Sequence, residues 1–349
     1  MNNCEKLNTL LTAKNRIYIV ASGAGAGLQN ILWQVPGISA VLVGAEFPYA
    51  PEATDKFLGF KPAKYCSEDT AISLALEAYS RAFVLNGAAA VGLGLTASVA
   101  STVAHRGAHR VFIAVATKNG VKAYSEILVK GVGMAARIQD GDKCDALALT
   151  ALAEPEALVM TDATDKATKL FFEHPYFLEN GERGEVPKTG NGLVLFPGAF
   201  NPPHEGHKWL ARASRGIFHI TTNPPHKPAL NVIELVERAK LLDGYARIFT
   251  QDDPLYLDKA RKFPGAKIIV GVDALIRMLD PKWGVEITPL LNEFRALGTT
   301  FLVADREVNG QVETLFHIAG APLDICKRIN NPTEHYKMSS TALRNGIGK

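Results

Sequence analysis

The chain has 349 residues, 47% of them apolar and 21% charged, with 38 Lys and Arg against 35 Asp and Glu for a net charge of +3. This composition excludes a disordered chain, a collagen-like repeat and a miniature disulfide protein, and at roughly 100–200 residues per domain the length predicts about two domains. Neither half is basic enough to imply nucleic-acid binding, although the basic excess lies after Asn191, where it would favour a polyphosphate. Cys4, Cys66, Cys144 and Cys326 stand far apart, with no CxxC pair and no histidine at ligand spacing. Free buried thiols in a reducing compartment are therefore expected, and no metal site. The first residues lack a basic stretch followed by an apolar core and a small-residue cleavage site, which predicts a cytoplasmic protein.

In chain order, the first half predicts a strand over 17–21, a glycine turn, a helix over 28–35, a strand over 40–45 and a helix over 70–85. Strands over 88–94, 111–117 and 121–128 follow, then helices over 143–152 and 163–173. The uncharged run 82–104 has the length of a membrane span. It is mostly Ala and Gly, however, and Asn86, Gly92, Gly94, Thr96 and Ser98 interrupt it, which predicts a buried strand ending in a small-residue loop. Residues 179–191 are polar, rich in Gly and without apolar periodicity, so they are expected to link a domain over 1–178 to one over 192–349. The second half predicts strands over 192–196, 217–221, 267–271 and 300–304, with helices over 207–213, 232–242, 274–279 and from Ser340. The expectation is two α/β domains, the second a doubly wound parallel sheet of Rossmann-like form.

The strand over 193–195 runs into Gly198-Ala199-Phe200-Asn201-Pro202-Pro203-His204-Glu205-Gly206-His207, with a helix close behind. Such a turn brings backbone and two imidazoles to the carboxyl end of a sheet, where a helix N-terminus favours negative charge, and so predicts a phosphate site. Two histidines three apart could also ligate a metal, but no third ligand stands near them. At the far end, Ser339, Ser340 and Thr341 can cap a helix, turning hydroxyls and free N–H groups toward phosphate, with Arg344 one turn later as a fixed cation.

The segment 198–207 resembles the G-x-F-[DN]-P-x-H-x-G-H signature of the HxGH nucleotidyltransferases, and Met338-Ser339-Ser340-Thr341-Ala342-Leu343-Arg344 resembles their I-S-S-T-x-[IL]-R element. Asn223-Pro224-Pro225-His226-Lys227-Pro228, with Arg238 in the next helix, resembles the PPHK loop of the nicotinate or nicotinamide mononucleotide adenylyltransferases. Gly271-Val272-Asp273-Ala274-Leu275 with Trp283 resembles their G-x-D-x-L…W segment, and the strand 300–304 followed by Asp305-Arg306 resembles their strand ending in Arg. The resemblance implies adenylyl transfer from ATP to a pyridine mononucleotide, with Mg2+ held mainly by phosphates. It implies His204, His207 and Arg344 as catalytic. It implies Gly198, Ala199, Phe200, Asp273, Ser339, Ser340 and Thr341 at ATP, and Asn201, Lys227, Trp283 and Arg306 at the acceptor, Trp283 stacking near the pyridine ring. The family's S-Y-T-x-x-T-L segment is absent where residues 253–260 stand, which leaves open another phosphorylated acceptor, such as phosphopantetheine or a phosphorylated alcohol. A non-catalytic nucleotide-binding or scaffold protein is the alternative of a different class.

In the first half the turn Ser22-Gly23-Ala24-Gly25-Ala26-Gly27 could serve a dinucleotide, and Glu46 stands about 20 residues on where a ribose-binding acid would. The spacing is not GxGxxG. Residues 35–53 resemble instead the VPGSSAVFLGGVVAYSNEAK stretch of the CinA C-terminal domain, a nicotinamide mononucleotide deamidase family, and the resemblance spans about residues 10–155. That family's turn reads E-S-C-T-G-G, and its Ser supplies the hydroxyl for amide hydrolysis. Here Gly23 takes the Ser position and Gly25 the Thr position, while Y-S-N-E-A-K has become Tyr49-Ala50-Pro51-Glu52-Ala53-Thr54, with Lys56 displaced by two residues. Without the nucleophile and its activating lysine no turnover is expected. The domain is then left to structure, to nucleotide binding, or to forming a homo-oligomer.

Overall fold

The computed structural model describes residues 2–86, 89–224, 228–280, 286–308 and 310–338, together with Ser340 and Leu343. The fold is mixed α/β, and the chain divides into two compact units, Met1–Glu173 with Asn231–Lys240, and His174–Leu230 with Leu241–Lys349. Among the described residues no helix is long and apolar enough to cross a membrane.

The first unit runs α1 (Asn3–Ala13), β1 (Arg16–Ser22), α2 (Gly27–Trp33), β2 (Leu42–Glu46), α3 (Pro51–Leu58), α4 (Glu68–Asn86), β3 (Ala90–Ser98), β4 (Arg110–Thr117), β5 (Gly120–Ile127), α5 (Gly133–Ala153), β6 (Thr161–Asp162) and α6 (Thr164–Glu173). Its sheet has the order β2-β1-β3-β4-β5-β6, parallel across the first three strands and antiparallel beyond. The described residues of the membrane-like run include the end of α4 and the buried strand β3. Gly92 and Gly94 lie directly against the α4 backbone, where any Cβ would overlap Ala75 and Tyr79. Small residues are thus required by helix-on-strand packing. Ile19, Leu28, Leu93, Leu95, Ile113 and Leu149 form the centre of this unit's core.

The second unit contains β7 (Tyr176–Phe177), β8 (Arg183–Gly184), β9 (Val194–Pro197), α7 (Glu205–Ser214) and β10 (Ile217–Thr221). After α8 (Val232–Leu241) come β11 (Arg247–Thr250), α9 (Tyr256–Lys262), β12 (Lys267–Gly271), α10 (Val272–Met278), α11 (Ile287–Ala296), β13 (Thr300–Ala304), β14 (Arg306–Val308), β15 (Gln311–Glu313) and β16 (Cys326–Ile329). The sheet order is β16-β13-β12-β9-β10-β11-β7-β8, with β16 through β11 mutually parallel and β7 and β8 antiparallel at the edge. Chain progress reverses at β9, since β10 and β11 add on one side and β12, β13 and β16 on the other. The β9/β12 junction is therefore a topological switch point, the place where parallel sheets open a crevice at their carboxyl ends. Ile268, Val270, Phe294 and Phe301 are buried beneath it.

The expected boundary at 178 and linker over 179–191 differ from this arrangement. Tyr176 pairs with Gly184 and Phe177 with Arg183, so the polar stretch begins the second sheet, and the Arg183 guanidinium lies 4.6 Å from the Phe177 ring centroid. Polar composition after Leu178 hid a hairpin whose ladder is made by backbone bonds. Helix α8 falls with the first unit, where Tyr79 donates its hydroxyl to Glu237 at 2.7 Å. The cysteines are free, Cys144 and Cys326 buried as expected, whereas Cys66 is half-buried and Cys4 exposed on the amphipathic first helix.

Candidate active site

At the switch point the second unit opens a cavity of about 370 Å3. Of the predicted site residues, Gly198, Ala199, Phe200, Asn201, His204, His207, Asp273, Arg306 and Ser340 line it. Lys227, Trp283, Ser339, Thr341 and Arg344 lie outside the described residues. Arg238 sits on α8, in the first unit, donating to the Glu234 carbonyl.

The histidine turn is built from β9 into α7. Phe200 adopts a left-handed backbone, φ 45°, and its buried ring packs edge-on against His207 at 4.9 Å and Phe218 at 4.7 Å, holding the His207 imidazole in place. His204 caps α7: its Nδ1 accepts the His207 backbone N–H, and the His207 Nδ1 accepts the His204 backbone N–H, both at 3.3 Å. The two rings stack with centroids 3.5 Å apart. Since both Nδ1 atoms accept, each neutral imidazole carries its proton on Nε2. The His204 Nε2 is buried without a hydrogen-bond partner. Burial, then the nearby Arg306 and His335, pushes His204 down to about 4 against a small opposing pull from Glu205. Burial, then His204 and Arg306, pushes His207 down to about 2. At neutral pH the pair is thus uncharged and offers N–H donors at a helix N-terminus that favours anions. Gly206 lets this packing close up, because a Cβ there would stand 3.2 Å from the His204 ring and 3.3 Å from the His335 Cβ, tighter than ordinary contact.

Across the cavity, Arg306 follows β13 and donates through Nη2 to the Met338 carbonyl at 2.9 Å, with its Nε 3.7 Å from Asp273. Asp273, in the first turn of α10, also pairs with Arg277 at 3.1 Å. The Ser340 hydroxyl donates to the Pro202 carbonyl at 2.8 Å, which ties the last segment to the histidine turn. Motif reading missed Tyr256, Arg277, Asp305, Asn331 and His335, all of which line the cavity. Tyr256 comes from the 253–260 segment that departs from the family pattern; burial and the Asp273 charge push its phenol up to about 12. Asp305 is buried and takes the Arg328 guanidinium at 3.0 and 2.6 Å and the Tyr336 hydroxyl at 3.3 Å. Its backbone exchanges bonds with the Asn331 amide at 2.8 and 3.2 Å. The next-door position of Asp305 to Arg306 was the one sequence signal available for it.

In the first unit, the turn after β1 has no comparable opening for a hydroxyl. Gly23 has φ 86°, and a Cβ there would overlap the Ala97 carbonyl. At the head of α2, a Cβ on Gly27 would overlap the Asp145 carboxylate, whose pKa burial raises in spite of the facing Leu28 and Gly27 amides. The anion-favouring helix end is thus occupied by a side chain of α5. Glu46 is engaged by Arg81 and by the Tyr18 hydroxyl at 2.6 Å, so the ribose-binding expectation gives way to an internal ion pair. The Ser22 and Thr54 hydroxyls both donate to the Pro48 carbonyl, at 3.1 and 2.8 Å.

No protein-family model and no curated protein matches the chain. Solved structures similar to it include members of the CinA and competence-damage-inducible protein superfamily. Competence damage-inducible protein A (ComA) of Klebsiella pneumoniae shares 18% identity over 44% of this chain and 94% of its own, with a TM-score of 0.34. A CinA superfamily protein of Enterobacter cloacae shares 15% over 48% and 89%, also at 0.34. Competence/damage inducible protein CihA of Agrobacterium tumefaciens shares 18% over 45% and 96%, at 0.33.

Proposed function

We propose that the second unit transfers the adenylyl group of ATP to the 5′-phosphate of nicotinate or nicotinamide mononucleotide. The observation that carries this reading is the His204/His207 pair, two stacked imidazoles at the head of α7 whose Nδ1 atoms each accept the other's backbone N–H, on a cavity that Arg306 also lines. An oxygen of the acceptor phosphate attacks the α-phosphorus of ATP, the bond from that phosphorus to the oxygen bridging the β-phosphorus breaks, and the bonding pair leaves on pyrophosphate. The acceptor phosphate is already ionised, so no general base is needed. What the protein contributes is alignment of the two phosphates and hydrogen-bond donors where negative charge grows. Among the described residues no cluster of three His, Cys, Asp or Glu side chains could hold a metal. In this reading magnesium belongs to the MgATP substrate, held mainly by phosphate oxygens.

In this reading the first unit does not hydrolyse nicotinamide mononucleotide, because Gly23 and Ala50 offer no hydroxyl and the Gly23 environment leaves no room for one. The acceptor is tested by giving the full chain MgATP with nicotinate mononucleotide, nicotinamide mononucleotide, phosphopantetheine or a phosphorylated alcohol, measuring pyrophosphate and weighing the product. A pyridine dinucleotide is expected. A product from another acceptor alone moves the protein to a sibling activity, and absence of pyrophosphate with every acceptor contradicts the reading.

A further inference from the structure

We propose that His335 is a third phosphate-contacting imidazole of this site, beside His204 and His207. The inference rests on the nucleotidyltransferase reading and extends it to a residue that neither motif contains. His335 closes the short 3-10 turn Thr333–His335 and lines the cavity. Its Cβ stands 3.3 Å from the position a Cβ would take on Gly206, so its backbone rests on the first turn of α7, and its ring lies 5.9 Å from Trp209. The glycine of the histidine turn thus serves His335 as well as His204.

Bonds to β13 and β14 fix this turn around the residue. Tyr336 reaches the Asp305 carboxylate at 3.3 Å, the Glu307 N–H donates to the Tyr336 carbonyl at 3.2 Å, and Arg306 donates to the Met338 carbonyl at 2.9 Å. A turn anchored this firmly sets the His335 backbone in place before a ligand arrives. Despite that anchoring, the His335 Nδ1 is buried with no hydrogen-bond partner. Buried His219, away from the cavity, also leaves its Nδ1 unpartnered while its Nε2 meets Thr250 Oγ1 at 2.7 Å and Asp253 at 3.2 Å, so what sets His335 apart is its place on the cavity beside His204.

Buried polar atoms without partners are rare and ask for an explanation. Here two of them, His335 Nδ1 and His204 Nε2, belong to residues lining one cavity, next to a helix N-terminus and the Arg306 guanidinium. One ligand class answers all four features, an anion with several acceptor oxygens, which is a polyphosphate.

The test is calorimetric titration of the full chain with MgATP and, separately, with sodium tripolyphosphate, for the parent, His335→Ala, His335→Gln and His204→Ala. Loss of a charge-assisted hydrogen bond should weaken both ligands about tenfold or more in His335→Ala. His335→Gln, which keeps a donor, should recover part of that loss, with both His335 variants melting within about 2 °C of the parent. Unchanged tripolyphosphate affinity in His335→Ala, alongside weakened binding in His204→Ala, overturns the role of His335 and leaves the nucleotidyltransferase reading standing. Weakened MgATP binding with unchanged tripolyphosphate binding also overturns it, since the contact is then not to phosphate. A parent that binds neither ligand overturns the reading and this inference together.

Discussion

Two turns in this chain lead from the carboxyl end of a parallel strand into a helix, one from β1 to α2 and one from β9 to α7, and what separates them is how the head of each helix is filled. At α2 the Asp145 carboxylate lies against Gly27 and the Ala97 carbonyl against Gly23, so the first turn faces oxygen atoms of the protein itself. At α7 two imidazoles take the cap, satisfy one another's Nδ1 through the backbone, and line a cavity, with the buried His204 Nε2 left unpartnered. A glycine-rich turn alone is thus no anion site. The site also needs unspent donors and a space in which to use them.

The largest effect is expected from placing a hydroxyl in the first of these turns. Gly23→Ser must place a side chain at φ 86° against the Ala97 carbonyl, and should cost about 3 kcal/mol of stability from the left-handed backbone and overpacking together. Neither parent nor variant should release ammonia from nicotinamide mononucleotide. A variant that unfolds at the parent's denaturant midpoint would show that the turn accepts a side chain after all, and enzyme-proportional ammonia release would show that the first unit is active.

A smaller effect follows from acid. Both histidines are held below the ordinary value of 6.5 in the folded, ligand-free protein, at about 4 and about 2, so the unfolded chain binds the protons first as pH falls. Stability should therefore be present in full above about pH 6.5 and drain away below it. Each histidine contributes about 1.4 kcal/mol per pH unit, or about 2 kcal/mol between pH 6.5 and 5. The groups facing the pair, Arg306, His335 and Glu205, stay in place in His204→Asn/His207→Asn, which keeps cap acceptors and loses the titration. Denaturant melts of parent and double variant at pH 7 and pH 5 measure the difference; equal acid losses would mean the imidazoles are not held neutral.

Much of the fold was legible because apolar runs between glycines and helical stretches mark parallel strands, and β10, β12 and β13 stand at the residues so predicted. Elements without such a run were not. β11, Arg247–Thr250, is four residues long, β16, Cys326–Ile329, is half exposed, and the β7/β8 hairpin hides in polar sequence. Helix α5 begins at Gly133, ten residues before the predicted start, because its first turns carry few buried residues and so no apolar stripe. The same division holds at the site. His204 and His207 could be read because their geometry is local to one turn. Tyr256, Asp305 and His335 reach the cavity from separate elements, and no spacing along the chain announces that meeting.

Under the proposed function the histidine turn, and no part of the first unit, performs chemistry on a nucleotide. The most direct test is the rate of dinucleotide and pyrophosphate formation from MgATP and nicotinate or nicotinamide mononucleotide by the full chain and by His204→Ala/His207→Ala. Removal of preorganised donors predicts a fall of about hundredfold or more in kcat/KM, with the far-ultraviolet spectrum of the parent retained. A double variant that makes dinucleotide at the parent's rate would contradict the account.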